Sequence, residues 1–120
     1  MILILDFDGV LFDGEKFKKA YLRIFRDAGM MSDAVRTAYR AGRTHPRKYP
    51  HTMMRAAAPH ADRTTLARRM DALLKTSPRY LYADTKEFLQ WCRKKKMTLV
   101  IVSRGPAFQR KKIASSGVVR

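Results

Sequence analysis

Cysteine is nearly absent from this chain of 120 residues: Cys92 stands alone, so no internal disulfide can form, which suits a reducing compartment. Long apolar runs are missing as well, and no stretch approaches the length that spans a bilayer. The apolar segment at the N-terminus has no basic residues before it and is interrupted at Asp6, so it does not read as a signal peptide. The expectation is a cytoplasmic protein with no membrane contact. Internal repeats and low-complexity tracts are lacking, and the length allows one domain or two small ones. Acids are scarce: 10 Asp and Glu face 26 Lys and Arg, a net charge of +16. Residues 1–15 hold four of the acids (Asp6, Asp8, Asp13, Glu15) and no Lys or Arg, which leaves 26 basic residues against 6 acids in the rest. No acid follows Glu87. A small acidic pole in a basic body attracts polyanions and small phosphorylated molecules alike. The same composition also describes ordinary solvated helix surfaces.

Two short apolar runs punctuate a largely helical pattern. Residues 1–5 read as a buried strand that ends on Asp6. Phe17, Ala20, Tyr21, Ile24, Phe25 and Ala28 recur at helical spacing, and Gly29 follows where a C-terminal cap belongs. Ser32 can open a second helix through Val35, Ala38 and Tyr39 to Gly42. Residues 43–50 are a loop around Pro46, and Pro50 opens a short helix that Pro59 closes. Asp62 to Thr76 forms another helix, with Leu66, Met70, Leu73 and Leu74 on one stripe, and Pro78 ends it. Asp84 and Glu87 have capping-box spacing ahead of a helix to Lys96. Met97–Val102 is an apolar, β-branched run, read as a strand parallel to the first. It is apolar on both faces, so helices are expected on both sides of it. Pro106 suits the first turn of a last helix ending at Ser116.

Asp6 and Asp8 stand at the end of the first strand, spaced i, i+2 and so on the same side of the chain. Their Cβ atoms are expected roughly 6 to 7 Å apart, two strand rises, a gap that holds a small tetrahedral group. Gly9 permits a turn that brings main-chain N–H groups toward such a group.

The longer pattern, an apolar N-terminal strand followed by Asp6-Phe7-Asp8-Gly9-Val10-Leu11-Phe12-Asp13, resembles motif I of the haloacid dehalogenase-like (HAD) superfamily. Most members of that superfamily are phosphatases or phosphotransferases. The resemblance implies an α/β fold: a partial Rossmann-like core (residues 1–14 and 81–120, parallel strands at 1–5 and 97–102) with an α-helical cap at 15–80. It implies that Asp6 is the nucleophile that becomes an aspartyl phosphate. An ionised carboxylate needs no base for that task. It implies that Asp8 is the general acid and base, protonating the leaving oxygen and later taking a proton from water. Mg²⁺ would be held by the Asp6 carboxylate and the Asp8 main-chain carbonyl. A second acid at the Asp8 position points to phosphoryl chemistry and away from dehalogenation. Ser103 closes the second strand just before Gly105 and a helix N-terminus, a place suited to anions. By resemblance it is the motif II hydroxyl that donates to a phosphoryl oxygen. The expected phosphate-binding set is therefore Gly9, Ser103, Arg104 and Gly105.

Other residues carry less. His45, His51 and His60 lack close metal-ligand spacing and read as surface histidines. Lys94–Lys96 closes a helix, where cations favour the macrodipole. Arg110, Lys111 and Lys112 read as a solvated helix face, and Cys92 as a packing residue. The superfamily's later motifs, a basic residue and an acidic loop beyond further strands, have no counterpart here. Lys111 and Lys112 come too soon after Ser103, and no acid is left. The resemblance thus covers about the first half of a complete member. A fragment, an early-terminated reading frame, or half of a split or homo-oligomeric protein all fit. The expected activity is Mg²⁺-dependent phosphoryl transfer from a small phosphorylated metabolite to water. The rival is a catalytically inactive basic module for nucleic acid or another polyanion, although no recognised nucleic-acid motif is present.

Overall fold

Residues Ile2–Asp6 form β1 and Thr98–Val102 form β2, and the two lie side by side in parallel, with Ile2 opposite Thr98 and Asp6 opposite Val102. Between and after them the chain is helical: α1 (Gly14–Asp27), α2 (Ser32–Thr44), α3 (His51–Ala57), α4 (Arg63–Lys75), a 3₁₀ turn (Ser77–Tyr80), α5 (Thr85–Lys94) and α6 (Ala107–Ser116). This is a computed structural model, and it describes residues 1–44, 50–57, 59, 61–105 and 107–119. His45 and Pro46 of the expected loop, His60, and Pro106 of the last helix lie outside the described residues.

The α/β expectation with a Rossmann-like core is overturned. Among the described residues the sheet has two strands, and six α-helices make up most of the fold. The reason lies in how the strands are covered. A parallel sheet of the Rossmann type is buried on both faces. Here both strands alternate between exposed and half-buried positions. Leu3, Leu5, Leu99 and Ile101 turn toward the body, whereas Ile2, Ile4, Val100 and Val102 remain 65, 70, 41 and 55% exposed. The helices expected on both sides of β2 therefore cover one side.

The core belongs to the helices and to the loop after β1. Phe7, Phe12, Tyr21, Phe25, Val35, Met53 and Leu66 are essentially inaccessible to water. Phe7 stacks on Phe12 at 4.7 Å between ring centroids, and Phe17 meets Tyr80 edge-on at 5.3 Å. One hydrophobic cluster runs from this loop through α1, α2, α3 and α4 to Phe108 on α6 and Val118 after it. Helix α1 packs against α2, α4 and the 3₁₀ turn, and α6 packs against α4 and the same turn. Burial of rings this size contributes a few kcal/mol apiece.

Local signals set several helix ends. Asp13 caps α1 by accepting from the Lys16 N–H at 3.1 Å, and Gly29 follows its last turn at φ +107°. Asp62 caps α4 by accepting from the Thr65 N–H. The expected capping box at Asp84 does not form, because Asp84 already has helical dihedrals (φ −87°, ψ −11°) and its side chain makes no cap bond. A capping side chain needs an extended backbone to reach back over the first turn. The next residue has a tertiary task instead: the buried Thr85 hydroxyl donates to the Leu11 carbonyl at 2.8 Å. The Tyr82 N–H donates to that same carbonyl, and the Asp13 N–H donates to Tyr80. These three bonds tie the loop after β1 to the chain ahead of α5, which fixes the position of Asp8.

Candidate active site

The loop after β1 folds back on Phe7, whose carbonyl accepts from the N–H groups of Val10, Leu11 and Phe12. Gly9 turns the chain at φ +80°, a left-handed conformation that a side chain disfavours. Asp8 is thereby aimed at α6. Its Oδ1 lies 2.9 Å from Lys112 Nζ, and its Oδ2 accepts from Gln109 Nε2 at 2.7 Å. Gln109 Nε2 also donates to Ser103 Oγ at 2.8 Å. One side-chain network thus joins the ends of both strands to α6. Two glycines make room for it. A Cβ on Gly14 would stand 2.8 Å from Asp8 Oδ1, and one on Gly105 would stand 2.7 Å from Gln109 Cβ. Gly105 is also at φ +147°.

Lys112 is the unusual member. Its side chain is 9% exposed, against 40% for Asp8. Its ammonium sits 5.8, 5.2 and 5.2 Å from the ring centres of Phe7, Phe12 and Phe17. A buried ammonium needs a counter-charge and hydrogen-bond acceptors. Asp8 supplies both, and the ring faces add cation–π attraction. The reading of residues 110–112 as a solvated face is therefore corrected: Arg110 and Lys111 are exposed, but Lys112 points inward. Phe108, Lys112 and Ser116, spaced by four, share the buried face of α6. That spacing was the available signal, and a lysine in the middle of it hides the stripe. Gln109 and Gly14 carried no signal that sequence alone exposes.

A cavity of about 610 Å³ opens beside the network. Asp8, Gly9, Arg104, Gly105, Gln109 and Lys112 line its inner wall. The outer wall comes from α1 and α2: Gly14, Glu15, Phe17, Lys18 and Tyr21 on the first, Tyr39, Gly42 and Arg43 on the second. Tyr82 and Phe108 complete it. Lys18 Nζ lies 4.9 Å and the Arg43 guanidinium carbon 5.8 Å from the centre of the Tyr39 ring. Burial pushes the Tyr39 hydroxyl above its ordinary value, with Arg43 pulling the other way.

Of the expected residues, Asp8, Gly9, Arg104 and Gly105 line the cavity, and Asp6 and Ser103 do not. Ser103 is half-buried and joins the network through Gln109. Asp6 is exposed at the end of β1, and its Oδ1 accepts from the Phe7 N–H at 2.7 Å. The strand register sets Asp6 opposite Val102, one residue before Ser103.

The residues here do not make up a resident site for a divalent cation. Both Asp8 carboxylate oxygens already accept from Lys112 and Gln109. Among the described residues no three Asp, Glu, His or Cys side chains come together as ligands. What is left is the Asp6 carboxylate and main-chain carbonyls, a thin oxygen set for a hard cation. No helix among the described residues is long and apolar enough to cross a membrane. No protein-family model matches this chain, and neither a curated protein nor a solved structure matches it.

Proposed function

We propose that this chain binds small phosphomonoesters and transfers their phosphoryl group to water, in the manner of the superfamily that residues 6–13 resemble. One observation carries the reading: Asp8, Lys112, Gln109 and Ser103 form a single polar network beside a cavity at the carboxyl ends of two parallel strands. Ligands of parallel sheets bind at that end. Lys112, with Arg104 at the cavity wall, supplies positive charge for a phosphoryl group. The aromatic surround of Lys112 keeps water from screening it.

In this mechanism Asp6, which stands outside the cavity lining and is bonded to the Phe7 N–H, must first turn toward the bound phosphoryl group; it then attacks phosphorus, and the bond from phosphorus to the ester oxygen breaks. The departing oxygen takes a proton from Asp8. Asp8 then takes a proton from the water that attacks the acyl phosphate, which releases inorganic phosphate and restores both carboxyl groups. The phosphomonoester enters as its monoanion, and its proton passes to Asp8 as Lys112 turns from Asp8 to a phosphoryl oxygen. Gln109 keeps Asp8 and Ser103 in register meanwhile. No step is assigned to a metal.

The test is turnover of an aryl phosphomonoester by the full chain, with and without added Mg²⁺. Asp6→Asn should abolish it, Asp8→Asn should remove most of it, and Ser103→Ala should cost less. A fully active Asp6→Asn protein ends the nucleophile assignment. Absence of both turnover and phosphate binding, together with steeply salt-dependent polynucleotide binding, favours the basic-module reading instead.

A further inference from the structure

The outer wall of the cavity carries two cations, Lys18 and Arg43, beside a single acid, Glu15. Lys18 and Arg43 come from different helices, α1 and α2, yet converge on the single ring of Tyr39. With Glu15 on the same wall, the local excess is one positive charge. Among the described residues neither is in a salt bridge. The ring face attracts both cations without using up their N–H donors. An anion arriving there meets that excess charge and accepts hydrogen bonds from the cation it reaches. Between the two charged ends the wall is aromatic: Phe17, Tyr21 and Phe108 stand together, with Tyr21 5.4 Å and Phe17 6.3 Å from Phe108 between ring centroids. The volume, about 610 Å³, is that of a pocket for an organic molecule and far exceeds one phosphate.

We infer that the ligand of this cavity carries anions at both ends: a phosphoryl group at Lys112 and Arg104, an apolar or ring-bearing body along Phe17, Tyr21 and Phe108, and a second anionic group at Lys18 and Arg43. This rests on the phosphomonoester reading and adds to it the class of substrate. The second anion is a carboxylate or another phosphoryl group, since both offer the same charge and acceptor atoms.

Calorimetric titration of the full chain with three aryl phosphonates, which cannot be hydrolysed, reads binding apart from turnover. They are phenylphosphonate, 4-carboxyphenylphosphonate and benzene-1,4-diphosphonate. The two compounds with a second anion should bind about tenfold more tightly than phenylphosphonate, the scale of one added charge-assisted hydrogen bond. The tighter of these two identifies the end group. Lys18→Met and Arg43→Gln should each bring the preference toward one, and Lys18→Arg should retain it. Circular dichroism checks that the variants keep their helices. Equal affinity of the wild-type chain for all three compounds overturns the inference and leaves the phosphomonoester reading standing. So does a preference that survives in the Lys18→Met/Arg43→Gln double variant. Failure of every phosphonate and of inorganic phosphate to bind overturns the phosphomonoester reading and this inference with it.

Discussion

The two-stranded sheet and the face of α6 invert what their compositions suggest. The sheet is built from Ile, Leu and Val, yet Ile2, Ile4, Val100 and Val102 stay exposed. Helix α6 carries Arg110, Lys111 and Lys112 in a row, yet Lys112 is buried among three phenylalanine rings. Hydropathy describes what a side chain would gain from burial. Whether it is buried depends on which surfaces reach it. Packing from the helices and the 7–12 loop covers the inner face of the sheet and leaves the outer face open. The ammonium of Lys112 has a carboxylate and three ring faces, so its removal from water is compensated.

The largest expected effect sharpens this contrast directly. Phe12→Ala removes a fully buried ring from the centre of the aromatic group and should cost about 3–5 kcal/mol in denaturant unfolding. Ile4→Ala, on the open face of β1, should stay within about 0.5 kcal/mol of wild type. Similar losses for the two would mean that the sheet face is covered after all.

Next comes the buried cation. Asp8→Ala leaves Lys112 without its counter-charge and should destabilise the fold by about 3 kcal/mol, the lower end for a broken buried pair because Asp8 is itself part-exposed. Lys112→Met should cost clearly less, since it removes the charge along with its need for a partner. The double variant should be more stable than Asp8→Ala alone. A double-mutant cycle with no coupling would show that the pair is not a unit.

A smaller effect tests the close approach at Gly14. Ala at this position favours the helix by up to about 1 kcal/mol, but its Cβ meets Asp8 Oδ1 at 2.8 Å. Gly14→Ala should therefore leave the melting temperature within a few degrees of wild type while weakening phosphate binding severalfold. Unchanged binding would mean that Asp8 relocates without consequence.

The smallest effect concerns Tyr39. Burial favours its neutral form, so the hydroxyl titrates above its ordinary value of 10.0 in the folded chain. The folded state then holds this proton more firmly than the unfolded state. That stabilisation is fully present below pH 10.0 and is lost as pH rises through the folded value. Thermal melts should show wild type losing slightly more stability than Tyr39→Phe between about pH 9.5 and 11. Identical losses would place the Tyr39 hydroxyl in water.

Much of the local layout was readable before any coordinates. The strand ends at Asp6 and Val102, the turn at Gly9 and the buried stripe of α1 all follow from neighbours within one turn or one strand. The expected helix at Asp84 also formed, but its cap did not, because Thr85 answers to Leu11, 74 residues away. The covering of the sheet was misjudged for a related reason: an apolar strand can be buried on both faces, but nothing within the strand says whether covering helices exist.

Local spacing was enough to say where the chain bends, which faces of α1 and α4 are apolar, and that Asp6, Asp8 and Ser103 stand near strand ends. These depend on spacings of two and of three to four residues, which are written along the chain. It took the packed fold to show that Asp8 meets Lys112, 104 residues distant, and that Gln109 spans Asp8 and Ser103. That fold alone brought Lys18 and Arg43 onto one ring. A charged side chain lies on a solvated face or in a site according to the groups that surround it, and those groups come from distant parts of the chain.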